Sequence, residues 1–230
     1  MKIDTAKVLV TGGGSGIGYA TAKMLAERGA RVAICGRDRA KLDRAAGEIG
    51  ALAIQADVSV EEDVRRMVRT VIDTFGDYNV LINNAAFGNW SPLVDLSVDD
   101  MRNVFATNVF GAMMVARDSA KHFVEKQYGN IVNVASSAGV RGYAGATAYA
   151  GSKFALRGMT ECWRAELRKF NIRVMLMNPS EVQTEFSRGR RAPSPRKLQA
   201  ADIAKPIVDM LELDDRAFVT EVAVWATNPD

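Results

Sequence analysis

The sequence is poor in the side chains that build metal sites and disulfide frameworks. Its 230 residues include one histidine, His122, and two cysteines, Cys35 and Cys162. A zinc site needs several His or Cys ligands at short spacings, and this chain offers no such group. Two cysteines within apolar segments are typical of reduced, buried thiols in a cytosolic protein. We therefore expect no metal site and no disulfide framework.

Long apolar runs and a strong charge imbalance are also absent. No run approaches the roughly 20 apolar residues that a membrane-spanning helix needs, and residues 1–7 lead into a strand-like segment without a signal-peptide pattern. The 30 basic and 27 acidic residues nearly balance. The densest basic cluster, residues 188–191, lacks interleaved aromatic side chains, and we interpret it as a solvated or mobile loop. These patterns predict a cytoplasmic protein without nucleic-acid or membrane partners.

What the sequence does contain is a regular alternation of apolar and amphipathic segments. Short apolar runs recur from residues 7–11 to residues 217–224, and helical patterns separate them. Apolar strands that alternate with amphipathic helices are typical of a parallel sheet covered on both faces. Right-handed crossovers then give a doubly wound, Rossmann-like α/β fold. We predict about seven strands in a single domain, residues 1–230, since no repeat or Pro/Gly-rich linker divides the chain.

A glycine-rich loop follows the first predicted strand and leads into a helical segment. It reads Thr11-Gly12-Gly13-Gly14-Ser15-Gly16-Ile17-Gly18. Glycine lets the backbone turn tightly and approach a phosphate closely, and the free N–H groups at a helix start favour an anion. The spacing is neither the dinucleotide Gly-x-Gly-x-x-Gly nor a P-loop. The loop indicates a phosphate-binding site, and the alternative is a tight turn without a chemical role.

Tyr149 and Lys153 lie four residues apart within a predicted helix, so both project from one face. A nearby ammonium favours the phenolate and lowers the pKa of a phenol, which is ordinarily about 10. A tyrosine tuned in this way can donate a proton to a substrate oxygen or accept one from it. The spacing alone is more typical of an ordinary amphipathic helix, and the catalytic interpretation depends on the other motifs.

Taken together, the motifs resemble those of the short-chain dehydrogenase/reductase family. The glycine loop follows the first strand, Asn83-Asn84-Ala85-Ala86 follows the fourth, and Ser136 precedes Tyr149 by 13 residues. Each motif is weak alone, but the four in order are specific, and the resemblance covers nearly the whole chain. It implies a nicotinamide cofactor and hydride transfer between a carbonyl and a secondary alcohol.

The resemblance also implies the roles of the catalytic residues. Tyr149 would be the general acid in carbonyl reduction and the general base in the reverse reaction, while Lys153 would support it and hold the nicotinamide ribose. Ser136 would hydrogen-bond the substrate oxygen. Ser137 is a rival, but the family places this serine three residues before a glycine, as Ser136 is. Asn108 matches the fourth catalytic residue of the family, which holds a water in a proton relay behind the lysine.

The end of the second predicted strand bears on the choice of cofactor. NAD sites place a carboxylate there for the ribose hydroxyls, whereas this chain has Gly36 followed by Arg37. An arginine can pair with a 2′-phosphate through charge-assisted hydrogen bonds. Asp38 argues for NAD, but we interpret it as the cap of the next helix. NADP-preferring relatives carry a second basic residue inside the glycine loop, and in this chain the neutral Ser15 occupies that position. The sequence favours NADP(H) over NAD(H).

Further positions match cofactor contacts of the family. Asp57 matches the residue at the adenine amino group, although an N-terminal helix cap explains it nearly as well. Ala86 and Ser180 replace glycines of the family pattern, which puts the loop geometry near the nicotinamide in doubt. The expected cofactor-binding residues are Gly12, Ser15, Gly16, Ile17, Gly18, Arg37, Asp57, Val58, Asn84, Tyr149, Lys153, Pro179, Val182 and Thr184.

The substrate pocket is expected between the Ser136–Tyr149 pair and the segment after the sixth strand. Side chains that could line it, or could equally belong to the core or an interface, are Phe87, Trp90, Val140, Tyr143 and Phe186. Residues 186–199 resemble the mobile lid of such enzymes, and their arginines could attract an anionic substrate or an acidic carrier protein. A 3-oxoacyl-carrier-protein reductase is therefore the narrower expectation.

The resemblance further implies that copies of the chain assemble into an oligomer. One alternative to an enzyme also has to be considered. Members of the family commonly pair through two long helices, here predicted at about 99–126 and 148–169, so we expect a homodimer or homotetramer. The molecule that binds in the active site would be a small carbonyl or alcohol substrate. The alternative is a catalytically idle protein that binds NADPH as a sensor or scaffold.

Overall fold

The fold is built on a seven-stranded sheet, seen in a computed structural model that describes residues 1–187 and 194–228. Its strands are β1 (Lys7–Thr11), β2 (Arg31–Gly36), β3 (Leu52–Gln55), β4 (Val80–Asn83), β5 (Gly129–Val134), β6 (Ile172–Pro179) and β9 (Glu221–Val224). They are ordered β3-β2-β1-β4-β5-β6-β9, and every neighbouring pair is parallel. The predicted doubly wound, Rossmann-like fold is confirmed.

Helices cover both faces of this sheet. They are α1 (Gly16–Glu27), α2 (Arg39–Ile49), α3 (Glu61–Phe75), α4 (Val98–Phe105), α5 (Ala112–Lys126), α6 (Thr147–Leu167) and α7 (Ala200–Glu212). Alternate residues of a strand point to opposite faces. Val8 and Val10 accordingly pack in one core cluster with α1, α2 and α7, while Leu9 packs in a second cluster with α3 and α5.

Two predicted elements differ in the structure. The helix predicted over 99–126 is interrupted between α4 and α5 by a π-helical turn, Ala106–Gly111. The last strand, predicted over 217–224, begins only at Glu221. Its predicted first residue, Ala217, instead closes a turn by donating its N–H to the Asp214 carbonyl at 2.9 Å.

The predicted lid, residues 186–199, is described only in part. Residues 188–193, and with them the basic cluster at 188–191, lie outside the described residues. On either side, β7 (Val182–Gln183) pairs in parallel with β8 (Leu198–Gln199). The Ser194 N–H donates to Gln183 Oε1 at 2.8 Å, which fixes the base of the segment. Within residues 1–187 and 194–228, no helix is long and apolar enough to cross a membrane.

Candidate active site

The candidate site lies at the carboxyl edge of the sheet, where the direction of winding reverses. β1 lies between β2 and β4, so the connections that follow β1 and β4 run to opposite sides. Their loops separate and leave a crevice, which is where open parallel sheets bind ligands. The glycine loop, residues 83–86 and the end of β5 all meet at this edge.

The glycine loop packs tightly against the loop that follows β4. Gly12 has a φ of +66°, and a Cβ at Gly18 would lie 2.6 Å from Asn84 Nδ2 and against the Gly12 carbonyl oxygen. Only glycine fits both positions without displacing backbone. α1 begins at Gly16, so its unpaired N–H groups lie at the end of the loop and can bind an anion. The expected cofactor contacts in this loop and first helical turn are Gly12, Ser15, Gly16, Ile17 and Gly18.

Thr11 joins these two loops, a contact that the sequence analysis missed. Its hydroxyl oxygen accepts hydrogen bonds from the Asn84 and Ala85 N–H groups, both at 2.9 Å. The Asn84 amide donates in return to the Thr11 carbonyl at 3.0 Å. The signal in the sequence was a hydroxyl at the last position of β1, which pairs with β4, the strand that Asn84 follows. Thr11 thereby fixes the distance between the glycine loop and the β4 loop.

A cleft of about 440 Å³ adjoins the glycine loop on the β2 side. Its lining residues are Gly12, Gly14, Ser15, Gly36, Arg37, Asp38, Lys41 and Leu42. Asp38 caps α2, as predicted, by accepting a hydrogen bond from the Lys41 N–H at 3.1 Å. One oxygen of this carboxylate is engaged at the helix start, while the side chains of Arg37 and Lys41 bring two positive charges to the cleft.

Asp57 lies beyond the end of β3, next to Arg37. One carboxylate oxygen accepts hydrogen bonds from the N–H and the hydroxyl of Ser59, at 2.9 and 2.7 Å. The other lies 4.0 Å from Arg37 Nη1. The helix-cap interpretation of Asp57 is wrong, because Val60 is the N-cap of α3. Val58, the neighbouring expected contact, is buried in the core.

Tyr149 and Lys153 share one face of α6, as their spacing predicts. Lys153 Nζ lies 5.8 Å from the centroid of the Tyr149 ring and donates a hydrogen bond to the Val134 carbonyl at 2.9 Å. Lys153 is 3% exposed, and this burial lowers the pKa of its ammonium to about 8. The amine is still mostly protonated at pH 7, so a buried positive charge lies beside the phenol.

Ser136 begins the turn that connects β5 to α6. Its hydroxyl oxygen accepts a hydrogen bond from the Ala138 N–H at 3.1 Å, and the same hydroxyl can donate its proton to a second partner. Ala138 packs with Tyr149, and a Cβ at Gly139 would lie 3.0 Å from the Lys153 carbonyl. The turn that carries Ser136 is therefore pressed against the part of α6 that carries Tyr149 and Lys153.

Asn108 lies in the π-helical turn, an element that often marks functional sites. Its amide donates to the Phe87 carbonyl at 2.9 Å and to Ser152 Oγ at 3.0 Å, and its oxygen accepts from the Phe87 N–H at 3.0 Å. Ser152, which the sequence analysis did not single out, donates to the Tyr149 carbonyl at 2.7 Å. Asn108 thus links the loop after β4 to the turn of α6 that carries Tyr149.

Two aromatic rings flank Tyr149. The ring centroids are 5.4 Å apart for Tyr149 and Trp90, 5.5 Å for Tyr149 and Phe186, and 5.6 Å for Trp90 and Phe186. Trp90 Nε1 also donates to the Tyr143 hydroxyl at 3.1 Å. Of the five side chains expected around the substrate pocket, these three form a connected group with Tyr149.

The two residues that replace glycines of the family pattern, Ala86 and Ser180, do not strain the backbone. Neither Ala86 nor Ser180 has a positive φ, and the Ser180 N–H donates to the Val224 carbonyl of the edge strand at 2.9 Å. Pro179, just before it, is the buried last residue of β6. The loop geometry that these departures put in doubt is therefore compatible with ordinary side chains.

The segment after β7 runs along the mouth of the crevice. A Cβ at Gly16 would lie 3.3 Å from Thr184 Cγ2, so Thr184 lies against the glycine loop. Glu185 pairs with Lys41 at 2.7 Å, and Phe186 contacts the Tyr149 ring. Three consecutive residues thus reach from the cleft at α2 to the phenol on α6. Sequence reasoning missed Lys41, whose only signal was a second basic side chain four residues after Arg37.

Comparison with known proteins identifies the family. The sequence model of the family described as short chain dehydrogenase matches residues 6–194. The chain belongs to this family, whose members are NAD(P)-dependent oxidoreductases that act on CH–OH groups.

Individual relatives give the same assignment. The chain is 37% identical over 194 residues to an uncharacterized oxidoreductase of Bacillus subtilis, covering 81% of the chain but only 54% of that longer relative. It is 34% identical to a 3-oxoacyl-[acyl-carrier-protein] reductase of Bos taurus, covering 88% of the chain and 90% of the relative. The crystal structure of 3-ketoacyl-(acyl-carrier-protein) reductase from Brucella melitensis, complexed with NADH, superimposes with a TM-score of 0.91 at 30% identity, covering 96% and 97% of the two chains.

Proposed function

We propose that the protein is an NADP(H)-dependent oxidoreductase that interconverts a carbonyl and a secondary alcohol, with Tyr149 as the general acid and base. The observation that carries this proposal is the position of the Lys153 ammonium, which is buried 5.8 Å from the Tyr149 ring centroid. A charge buried at that point favours the phenolate, and so makes the phenol a better proton donor.

The residues at the carboxyl edge fit a nicotinamide dinucleotide. The glycine loop leaves no room for a Cβ at Gly18, and the start of α1 offers N–H groups for the pyrophosphate. Asp57, Val58 and Asn84 would border the adenosine half and the middle of the cofactor. Pro179, Val182, Thr184 and Lys153 would border the nicotinamide half. Nicotinamide, when bound, supplies or accepts the hydride.

The charges in the cleft beside β2 support NADP(H). Arg37 and Lys41 both line it, whereas the Asp38 carboxylate accepts a hydrogen bond at the start of α2. A 2′-phosphate gains from two cations through charge-assisted hydrogen bonds. The partners that these cations have now are weak competitors, since the Arg37–Asp57 separation is 4.0 Å and the Lys41–Glu185 pair is exposed.

The remaining catalytic residues would act around the phenol. Ser136 would donate its hydroxyl proton to the substrate oxygen and stabilise its developing charge. Tyr149 would give that oxygen a proton in reduction and remove it in oxidation. Asn108 would hold a water that connects Lys153 to bulk water. Its hydrogen bonds to Phe87 and Ser152 fix the position of the π-helical turn that carries it.

Two relatives bear on the substrate. The bovine relative is named a 3-oxoacyl-[acyl-carrier-protein] reductase, and the Brucella neighbour is named for the same reaction. They support a 3-oxoacyl thioester as one candidate substrate of this chain. The arginines that could attract an acidic carrier protein include those of residues 188–191, which lie outside the described residues.

We also propose that residues 1–230 form one domain that assembles in the cytoplasm as a homodimer or homotetramer. Phe110 and Phe154, on the two helical segments expected to pair, are exposed in the isolated chain. Light scattering of the purified protein would give its mass in solution, and a monomeric mass would contradict the assembly.

An NADPH-depletion assay tests the reaction. The purified protein would be given ketones, aldehydes, quinones and 3-oxoacyl thioesters in turn, and NADPH binding would be measured separately by fluorescence. We expect turnover of at least one carbonyl class. Tight NADPH binding without turnover of any of them would favour the idle sensor or scaffold.

A further inference from the structure

The group of rings around Tyr149 bears on which carbonyl the site takes, an inference that rests on the proposed function. Trp90 and Phe186 each lie within 5.5 Å of the Tyr149 ring, centroid to centroid, and lie edge to face with one another at an interplanar angle of 85°. Aromatic pairs in such tilted arrangements are stabilised beyond their buried area. The surroundings of the phenol are therefore aromatic on two sides.

One wall of this group is fixed in position. A Cβ at Gly88 would lie 2.6 Å from Cζ2 of Trp90, so the indole packs directly over the glycine. Trp90 Nε1 donates to the Tyr143 hydroxyl at 3.1 Å, and the Ser91 N–H donates to the Gly145 carbonyl at 2.9 Å. Both hydrogen bonds join the loop after β4 to the loop before α6. The flat indole face is thus held in place before any ligand arrives.

The other wall, Phe186, is open to solvent. Phe186 is 39% exposed and lies in a short 3-10 turn, Glu185–Ser187. That turn is tethered to α2 by the exposed Lys41–Glu185 ion pair, and exposed pairs of this kind contribute only about 0–1 kcal/mol. A ligand ring that displaces the Phe186 ring would have to replace its contacts with Tyr149 and Trp90. Phe186 would then pack on the outer side of that ligand.

We propose that the substrate is an aryl ketone, with its planar ring held between Trp90 and Phe186 and the carbonyl directed to Tyr149. A planar ring can stack on the indole and regain the aromatic contacts that Phe186 gives up. A linear acyl chain makes no such ring contacts. The site is expected to prefer the ring-bearing ketone over the linear 3-oxoacyl thioester.

The test compares two ketones with the purified full-length protein and NADPH. The ring-bearing probe is 1-tetralone, and the linear probe is the N-acetylcysteamine thioester of acetoacetate. We expect kcat/KM to be at least ~10-fold higher for 1-tetralone, a difference of about 1.4 kcal/mol. Trp90→Leu and Phe186→Leu, which remain apolar but lose the flat ring, should each remove most of that preference.

Controls separate the possible results. Trp225→Leu replaces an exposed indole beyond the edge strand and should leave both values unchanged. The Trp90 and Phe186 variants should bind NADPH with unchanged affinity. This measurement would show that the two variants are folded. Equal or better turnover of the linear thioester, or equal losses on both probes in the variants, would overturn this inference while the proposed reaction stands. No turnover of any ketone in the wider panel would overturn both.

Discussion

The Lys153 ammonium donates a hydrogen bond to the Val134 carbonyl at 2.9 Å, across the turn that joins β5 to α6. The bond ties the end of a central strand to the helix that carries Tyr149. It also holds a positive charge where water hardly reaches, because Lys153 is 3% exposed. This one side chain therefore serves the packing of the site and its electrostatics together.

The burial of Lys153 predicts a dependence of stability on pH. Its pKa is about 8 in the folded chain and 10.5 as the ordinary value. Between these values the unfolded chain still binds a proton that the folded chain has released, so the stability of the wild type rises with pH. Relative to Lys153→Met, the free energy of unfolding should rise by on the order of 3 kcal/mol between pH 7 and pH 10.5. Urea unfolding across this range measures it.

A matched control for the loss of one charge is Lys23→Met, on the exposed surface of α1. A difference between the wild type and Lys153→Met that stays constant across this pH range would contradict the account of Lys153.

Asn108→Asp tests the contact between the π-helical turn and the loop after β4. The carboxylate keeps the shape but cannot donate to the part-buried Phe87 carbonyl or to the buried Ser152 Oγ, so both acceptors lose this donor. We expect a loss of about 1–3 kcal/mol in stability and a lower kcat with nearly unchanged cofactor affinity. Thermal unfolding and steady-state kinetics measure both. Asn103→Asp, exposed on α4, is the control, and an Asn108 variant as stable as that control would refute the contact.

Gly18→Ala tests the packing of the glycine loop. Its Cβ would meet the Gly12 carbonyl and lie 2.6 Å from Asn84 Nδ2, so the loop must shift. Cofactor affinity, measured by fluorescence titration, should fall at least ~10-fold, or the variant should unfold at a clearly lower temperature. Gly47→Ala on α2, where a Cβ meets nothing within 4 Å, should be neutral or stabilising by about 1 kcal/mol. A Gly18 variant with wild-type affinity and stability would show that the loop is not close-packed.

Arg37→Ala tests the choice of cofactor. If the guanidinium binds the 2′-phosphate, KM for NADPH should rise at least ~10-fold while KM for NADH changes little. Lys41→Ala should act in the same direction but less strongly, because Lys41 also pairs with Glu185. Arg39→Ala, which removes a guanidinium already paired with Asp43 at 2.7 Å, is the matched control. An unchanged preference for NADPH in Arg37→Ala would refute the assignment of Arg37.

Much of the architecture could be predicted because it follows from local patterns. Apolar strands alternating with amphipathic helices fix a parallel sheet, and the four-residue spacing of Tyr149 and Lys153 fixes their common face. The cap at Asp38 could be predicted for the same reason, since it depends on a side chain and an N–H three residues apart.

Features that depend on contacts distant in sequence could not be predicted. The π-helical turn has no sequence pattern of its own, and its residue Asn108 bonds Phe87, 21 residues away. Thr11 lies 73 residues from Asn84, and Lys41 lies 144 residues from Glu185. The aromatic group at Tyr149 likewise joins three separate segments, so the sequence offered its members only as candidates.

The role of Tyr149 as the general acid and base is tested by the turnover of Tyr149→Phe. This variant keeps the ring that packs against Trp90 and Phe186 but removes the hydroxyl, so the fold and the cofactor site should be retained. Tyr128→Phe, whose hydroxyl donates to Asp215 at the opposite edge of the sheet, is the control. We expect wild-type NADPH affinity and a kcat lower by about 10²–10⁴-fold for Tyr149→Phe. Turnover close to that of the wild type would contradict this role.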